Sequence, residues 1–193
     1  MQGRTVIVTI AAVIFSSALP AMAANHKPLE LFGVKLNGAT RDQLRQAFKQ
    51  HNLVPTREDN RYWFDTYAVN GVLDGASQFE AGYVSATNRF AIAEYTFSGS
   101  GFMDTQMVKK VIEMVREKYG QPSSLNGDYN LGPVTAQWNM GQDMLITVTR
   151  GWPDTTTYLD YEDTANYRQL KAEMAAEKKA EEHQQVKNQG NAF

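Results

Sequence analysis

Cysteine is absent from this 193-residue chain. That excludes a disulfide framework, a cysteine-ligated zinc site and a thiol nucleophile. Charge of one sign is missing as well: 19 basic residues face 21 acidic ones, for a formal net charge of -2. Nucleic-acid-binding domains are normally strongly basic, so no nucleic-acid partner is expected. Histidine is scarce, with His26, His51 and His183 only. No two of them stand at ligand spacing, which argues against a metal site, and no Gly-x-Ser-x-Gly turn seats a serine nucleophile for His51. Hydrophobic residues (42%) and aromatics (11%) are plentiful enough for a packed core and too frequent for a disordered chain.

The N-terminus reads as an address. Residues 1–23 carry one charge, Arg4, then an apolar run from Val6 to Phe15, then Pro20 and Ala21-Met22-Ala23. This is the pattern of a secretory signal peptide with its small-residue cleavage site. A bilayer span needs about 20 apolar residues, and this run is shorter and broken by Pro20. The expectation is a mature chain that starts near Ala24, has no transmembrane segment and resides in the periplasm or outside a bacterial cell.

Two amphipathic helices follow. Thr40 and Gln43 form a capping box, and Leu44, Ala47 and Phe48 make one apolar stripe, with Arg41, Asp42, Arg45 and Gln46 expected toward water. Pro55 is expected to end that element. The second helix has Asp104 as expected N-cap and Met103 placed to staple onto Val108. Its apolar face is Val108, Val111, Ile112, Val115 and Tyr119, and Gly120 and Pro122 stop it. The Ser98-Gly99-Ser100-Gly101 run before it reads as a loop.

Strand-like segments follow each helix. Tyr62 to Val69 ends at Asn70-Gly71, and Phe79–Ser85 and Phe90–Phe97 come next. In the second half, Val134, Ala136, Trp138 and Met140 alternate with polar residues, and Met144–Arg150 and Thr155–Tyr161 complete a meander. The fold class is therefore α+β, with helices packed on the apolar face of antiparallel sheet. The two halves align cap to cap, Leu44 over Val108 and Phe48 over Ile112, which reads as a tandem helix-plus-three-strand repeat. The units expected are 24–101, 102–163 and a C-terminal helix and tail over 164–193.

The Gly38-Ala39-Thr40 to Leu44 entry, the Lys118-Tyr119-Gly120-Gln121-Pro122 exit and the tryptophan strand after each helix resemble two known architectures. These are the small envelope modules of the BamE/SmpA type and the duplicated β-lactamase-inhibitor-protein type. The resemblance spans about residues 32–161 and implies architecture alone. The lipidated cysteine of the first and the cysteine pair of the second are missing, so no functional residue carries over.

The tail from Ala165 to Lys187 has no Gly or Pro. Tyr167, Leu170 and Met174 can dock its start, and large apolar residues then vanish until Val186. Without a sustained seam a coiled coil is not expected. Asp154, Asp160, Glu162 and Asp163 are the densest acidic cluster. EF-hand spacing is absent, and Asp163 or Thr164 suits the cap of the tail helix.

No pattern points to a cofactor, a metal or a catalytic group. Aromatics are the candidates that remain. Alternation along a strand places Tyr62 and Phe64 on one face and Trp63 and Tyr67 on the other. Tyr62, Trp63 and Tyr67, with Trp152 beside Arg150 and Pro153, are the candidate binding residues, since Trp and Tyr are enriched at recognition hot spots. The leading expectation is an exported, non-catalytic interaction module that binds an envelope or secreted protein, or less readily a small ligand, through an aromatic sheet face. The alternatives are a periplasmic hydrolase using carboxylates such as Asp65, Glu94 or Asp160, and a structural envelope subunit that assembles through its C-terminal helix.

Overall fold

The computed structural model describes residues 27–190, apart from 70, 100, 102–104, 129 and 131. The expected leader and the expected Met103–Asp104 staple and cap lie outside the described residues. None of the described helices is long and apolar enough to cross a membrane.

The chain is α+β. A hairpin of β1 (Glu30–Leu31) and β2 (Val34–Lys35) precedes α1 (Arg41–Gln50). Then come β3 (Val54–Arg57), β4 (Phe64–Ala68), β5 (Gln78–Val84) and β6 (Arg89–Phe97). After α2 (Gln106–Tyr119) come β7 (Ser124–Gly127), β8 (Val134–Gly141), β9 (Met144–Arg150) and β10 (Thr157–Asp163), and α3 (Thr164–Gly190) ends the chain. Strands β3 to β10 form one antiparallel sheet in the order β3-β4-β5-β6-β10-β9-β8-β7. Each half thus supplies four strands, one more than alternation predicts, and the last strand of each half meets the other at the centre.

Local chemistry explains the ends. The Thr40 amide donates to Gln43 Oε1 at 2.9 Å, and the Gln43 amide donates to Thr40 Oγ1 at 3.3 Å, the reciprocal box expected from the sequence. The helix stops at Gln50, not at Pro55. Asn52 turns the chain in the left-handed region (φ 60°), and Leu53 then buries itself. Pro55 instead lies in the outermost strand, where a missing amide donor is tolerated. The N-cap of α2 is Thr105, and its exit is Gly120 at φ 85°, as Gly permits. Asp163 caps α3 by accepting from the Asn166 amide at 3.0 Å.

One face of the sheet carries the core. Leu44 and Phe48 of α1 and Val108, Val111, Ile112 and Val115 of α2 join Tyr67, Phe79, Tyr95, Trp138, Ile146 and Val148 in a single cluster spanning both halves. Phe48 meets Tyr67 and Phe79 edge-on at 5.1 and 5.2 Å. Removing such a ring costs about 3–5 kcal/mol. Trp138 Nε1 donates to the Gly120 carbonyl at 2.8 Å, tying the end of α2 to β8.

The opposite face is not left open. Leu170 of α3 is fully buried against Val84, Ala91 and Ile92, with Trp63, Phe64, Tyr167 and Met174 around it. Asn166 Nδ2 donates to the Phe90 carbonyl at 2.8 Å, and Glu173 Oε2 accepts from the Ser85 amide at 2.9 Å. The helix therefore crosses β10, β6 and β5 toward the start of β4. Beyond Met174 it stands exposed on all sides through residue 190.

Candidate binding groove beside the C-terminal helix

The site is built on a buried ion cluster. Asp65 of β4 faces the core and is 0% exposed. Arg41 grips it with Nε to Oδ2 at 3.0 Å and Nη2 to Oδ1 at 2.7 Å. Arg45, one helical turn on, does the same at 2.8 and 2.7 Å. Burial alone would raise the Asp65 carboxyl, but the hydrogen bonds from Arg45 and Arg41 and their charges outweigh it and hold the group below its usual range. Arg41, expected toward water, is thus buried, because the Asp65 carboxylate of β4 meets it there.

Arg41 also fixes a loop. Its Nη2 donates to the carbonyls of Asp59 and Tyr62, both at 3.0 Å, and Arg45 Nη1 donates to Asn60 Oδ1 at 2.9 Å. Asp59 binds Arg61 through the Arg61 amide and side chain; these bonds lower its carboxyl to about 2. The Tyr83 amide donates to the Trp63 carbonyl at 2.9 Å. Residues 58–63 are therefore held from several sides.

The loop delivers two aromatics to α3. Tyr62 is 47% exposed, with the Arg57 guanidinium 4.6 Å from its ring centroid. Trp63 is half-buried and packs with the α3 cluster. With Met174, Ala175, Lys178 and Glu181 they line a groove of about 460 Å³. Its base is apolar, and Lys178 and Glu181 stand on its helical wall. Nearer the start of α3, the Lys171 ammonium lies 4.2 Å over the Tyr167 ring.

The four candidate aromatics do not converge. Regular alternation starts only at Phe64, so Trp63 joins Phe64 on the α3 side while Tyr67 points into the core. Tyr67 is 2% exposed and its hydroxyl donates to Glu58 at 2.8 Å, so it cannot form part of a presented face. Trp152 is 55% exposed but follows Arg150, in the register row of Thr157 and Phe97. Tyr62 and Trp63 adjoin the opposite row, Phe64–Gly82–Ile92–Glu162. The part of the sheet that α3 leaves uncovered is mostly polar, with Thr135, Gln137, Thr147 and Thr149 facing outward beside Tyr158, which was not among the four candidates. Met174 and Lys178 were not among the sequence candidates. Tyr167, Leu170 and Met174 did mark the docked stripe, and that stripe was the available signal.

The acids separate by face. Asp65 is consumed by two arginines. Glu94 and Asp160 are cross-strand neighbours on the α3 side, and Glu80 continues their row on β5. None of these three lines the groove beside α3. Among the described residues, no three acids or histidines converge to hold a metal ion.

The chain matches no protein-family model and none of the curated proteins. Among solved structures it is similar to a DUF4309 family protein (YjgB) from Bacillus subtilis subsp. subtilis str. 168. The two share 16% identity over 70% of this chain and 86% of that one, with a TM-score of 0.41.

Proposed function

We propose that this protein is an exported, non-catalytic interaction module of a bacterial envelope. It captures an apolar segment of a protein partner in the groove between Tyr62, Trp63 and the Met174–Glu181 stretch of α3. The observation that carries this reading is the outlay of structure on one loop. A buried arginine, a fully buried aspartate and a second arginine are committed to a six-residue segment whose outward products are an exposed tyrosine and a half-buried tryptophan. Rigid aromatic anchors beside an apolar floor, with charges at the margin, are the ordinary makings of a hot spot. A helix wall with Lys178 and Glu181 suits an amphipathic segment laid along it.

The reading differs from the sequence expectation in location. Binding falls to the loop–helix groove, with Tyr62 and Trp63 retained and Tyr67 and Trp152 outside it. A photo-reactive residue at position 178, in the chain produced in its own compartment, tests this. The expected result is a discrete adduct with one envelope or secreted protein, absent when the same residue replaces Lys110 on α2. Equal labelling from both positions, or none from 178, overturns it.

A further inference from the structure

Glu80, Glu94 and Asp160 occupy one row across three adjacent strands, Glu80 opposite Glu94 and Glu94 opposite Asp160. Directly opposed residues in an antiparallel pair have Cβ atoms about 4.5–5.5 Å apart. Like charges so placed repel. The row continues through Thr66 to Arg57 on one side and into Thr147 on the other, so no cation stands directly opposite any of the three acids, and Arg57 lies one strand beyond Glu80's neighbour. One register step away lies the row Phe64–Gly82–Ile92–Glu162, which α3 crosses. The acids therefore run along the flank of the helix.

We propose that this carboxylate row is a proton-operated latch on α3, which seats the helix firmly while the row holds a proton and loosens it when the row is fully ionised. Because α3 forms one wall of the groove, the latch would also set the groove's shape; that consequence, unlike the latch itself, rests on the groove being the binding site.

The groups around the row can be named element by element. Strand β5 brings Glu80, β6 brings Glu94 and Thr96, and β10 brings Tyr158, Asp160 and Glu162, with Asp154 near Tyr158. Helix α3 brings Tyr167, which feels Glu162, Asp160, Glu94 and Glu80, and Lys171, whose charge acts on Glu162. Arg57 of β3 acts on Glu80 from the far edge. Negative groups outnumber cations, and Lys171 and Arg57 each serve an outer acid, leaving the central pair uncompensated.

Asp160 Oδ1 is shut from water and finds no hydrogen-bond donor. An ionised carboxylate can only accept, so its charge there would be poorly satisfied; a protonated one can donate. Burial, then the charges of Glu94 and Glu162 and the closeness of the Glu94 carboxyl, push Asp160 up to about 8. Burial and Glu80 raise Glu94 as well. Lifting α3 would return water to the row and let these values fall toward the usual carboxylate range. Seating then weakens progressively as pH rises from that range and reaches its lowest level above about 8.

Amide hydrogen exchange on the full chain, without any partner, reads the latch and is indifferent to whether the groove binds anything. Protection of residues 167–175, corrected for intrinsic exchange and referred to α2, is expected to fall at least about tenfold between pH 6 and pH 8.5. In Asp160→Asn protection should be high and nearly independent of pH; should that variant fold poorly, Glu94→Gln should show a smaller fall over the same interval, because Asp160 stays buried but loses its nearest like charge. Equal protection of wild-type α3 at both pH values, or an unchanged pH dependence in the folded variants, overturns the proposal.

Discussion

Arg41 and Asp65 meet through two hydrogen bonds, 3.0 and 2.7 Å, in a site closed to water. The same guanidinium holds the carbonyls of Asp59 and Tyr62 and lies 4.8 Å from the Tyr83 ring. One ion pair therefore joins α1, β4, the 58–63 loop and β5. The core beneath the sheet and the groove above it share this pin.

Asp65→Ala leaves two arginines facing an empty site. Breaking one partner from a buried pair costs about 3–5 kcal/mol, because the remaining charge stays desolvated. Denaturant unfolding of Asp65→Ala should show a loss of that size, with Asp65→Asn losing less. A loss under about 1 kcal/mol, the range of exposed pairs, would mean the cluster is solvated.

Two sets of acids impose opposite pH slopes. Asp65 is held below its usual value of 3.8, so its stabilisation is present above that value and lost as pH falls through its folded value. Asp160 rises from 3.8 to about 8, so the folded state binds more protons across that interval and stability declines as pH climbs through it. Thermal unfolding should give its highest midpoint in mildly acidic solution, about pH 4–5, and a lower one at pH 8.5. Asp160→Asn should flatten the alkaline side. A midpoint that rises from pH 5 to pH 8.5 would contradict the assignment of Asp160.

Export makes a separate prediction. The Ala21-Met22-Ala23 site predicts a periplasmic or secreted chain that begins at Ala24. Intact-mass measurement of the fractionated protein checks it. A full-length chain recovered from the cytoplasm alone would remove the envelope from the account.

Much of the fold was legible because it is written locally. The Thr40–Gln43 box, the Val108–Val111–Ile112–Val115 stripe, Gly120 and the Val134–Met140 alternation each act within a few residues, and each appears where expected. The short edge strands β3 and β7 were not legible, since four-residue stretches with no buried position and a proline or a glycine carry little periodicity. The site was harder still. Whether Arg41 is wet or buried depends on Asp65, 24 residues away, and nothing in the helix itself announces that partner. Likewise Glu80, Glu94 and Asp160 become a row only through strand register, which one sequence does not state. Strict alternation puts Trp63 on the face of Tyr67, but the strand begins only at Phe64, and Trp63 belongs to a loop whose path Arg41 dictates.

Tyr62 is exposed and makes few of the contacts that hold the fold, so Tyr62→Ala should leave unfolding stability within about 0.5 kcal/mol of wild type. Its effect on binding is the most direct test of the groove. With the photo-reactive residue at 178, the yield of the partner adduct should fall at least about tenfold in Tyr62→Ala, the scale on which hot-spot truncations act. An undiminished adduct from a folded Tyr62→Ala chain would contradict the account.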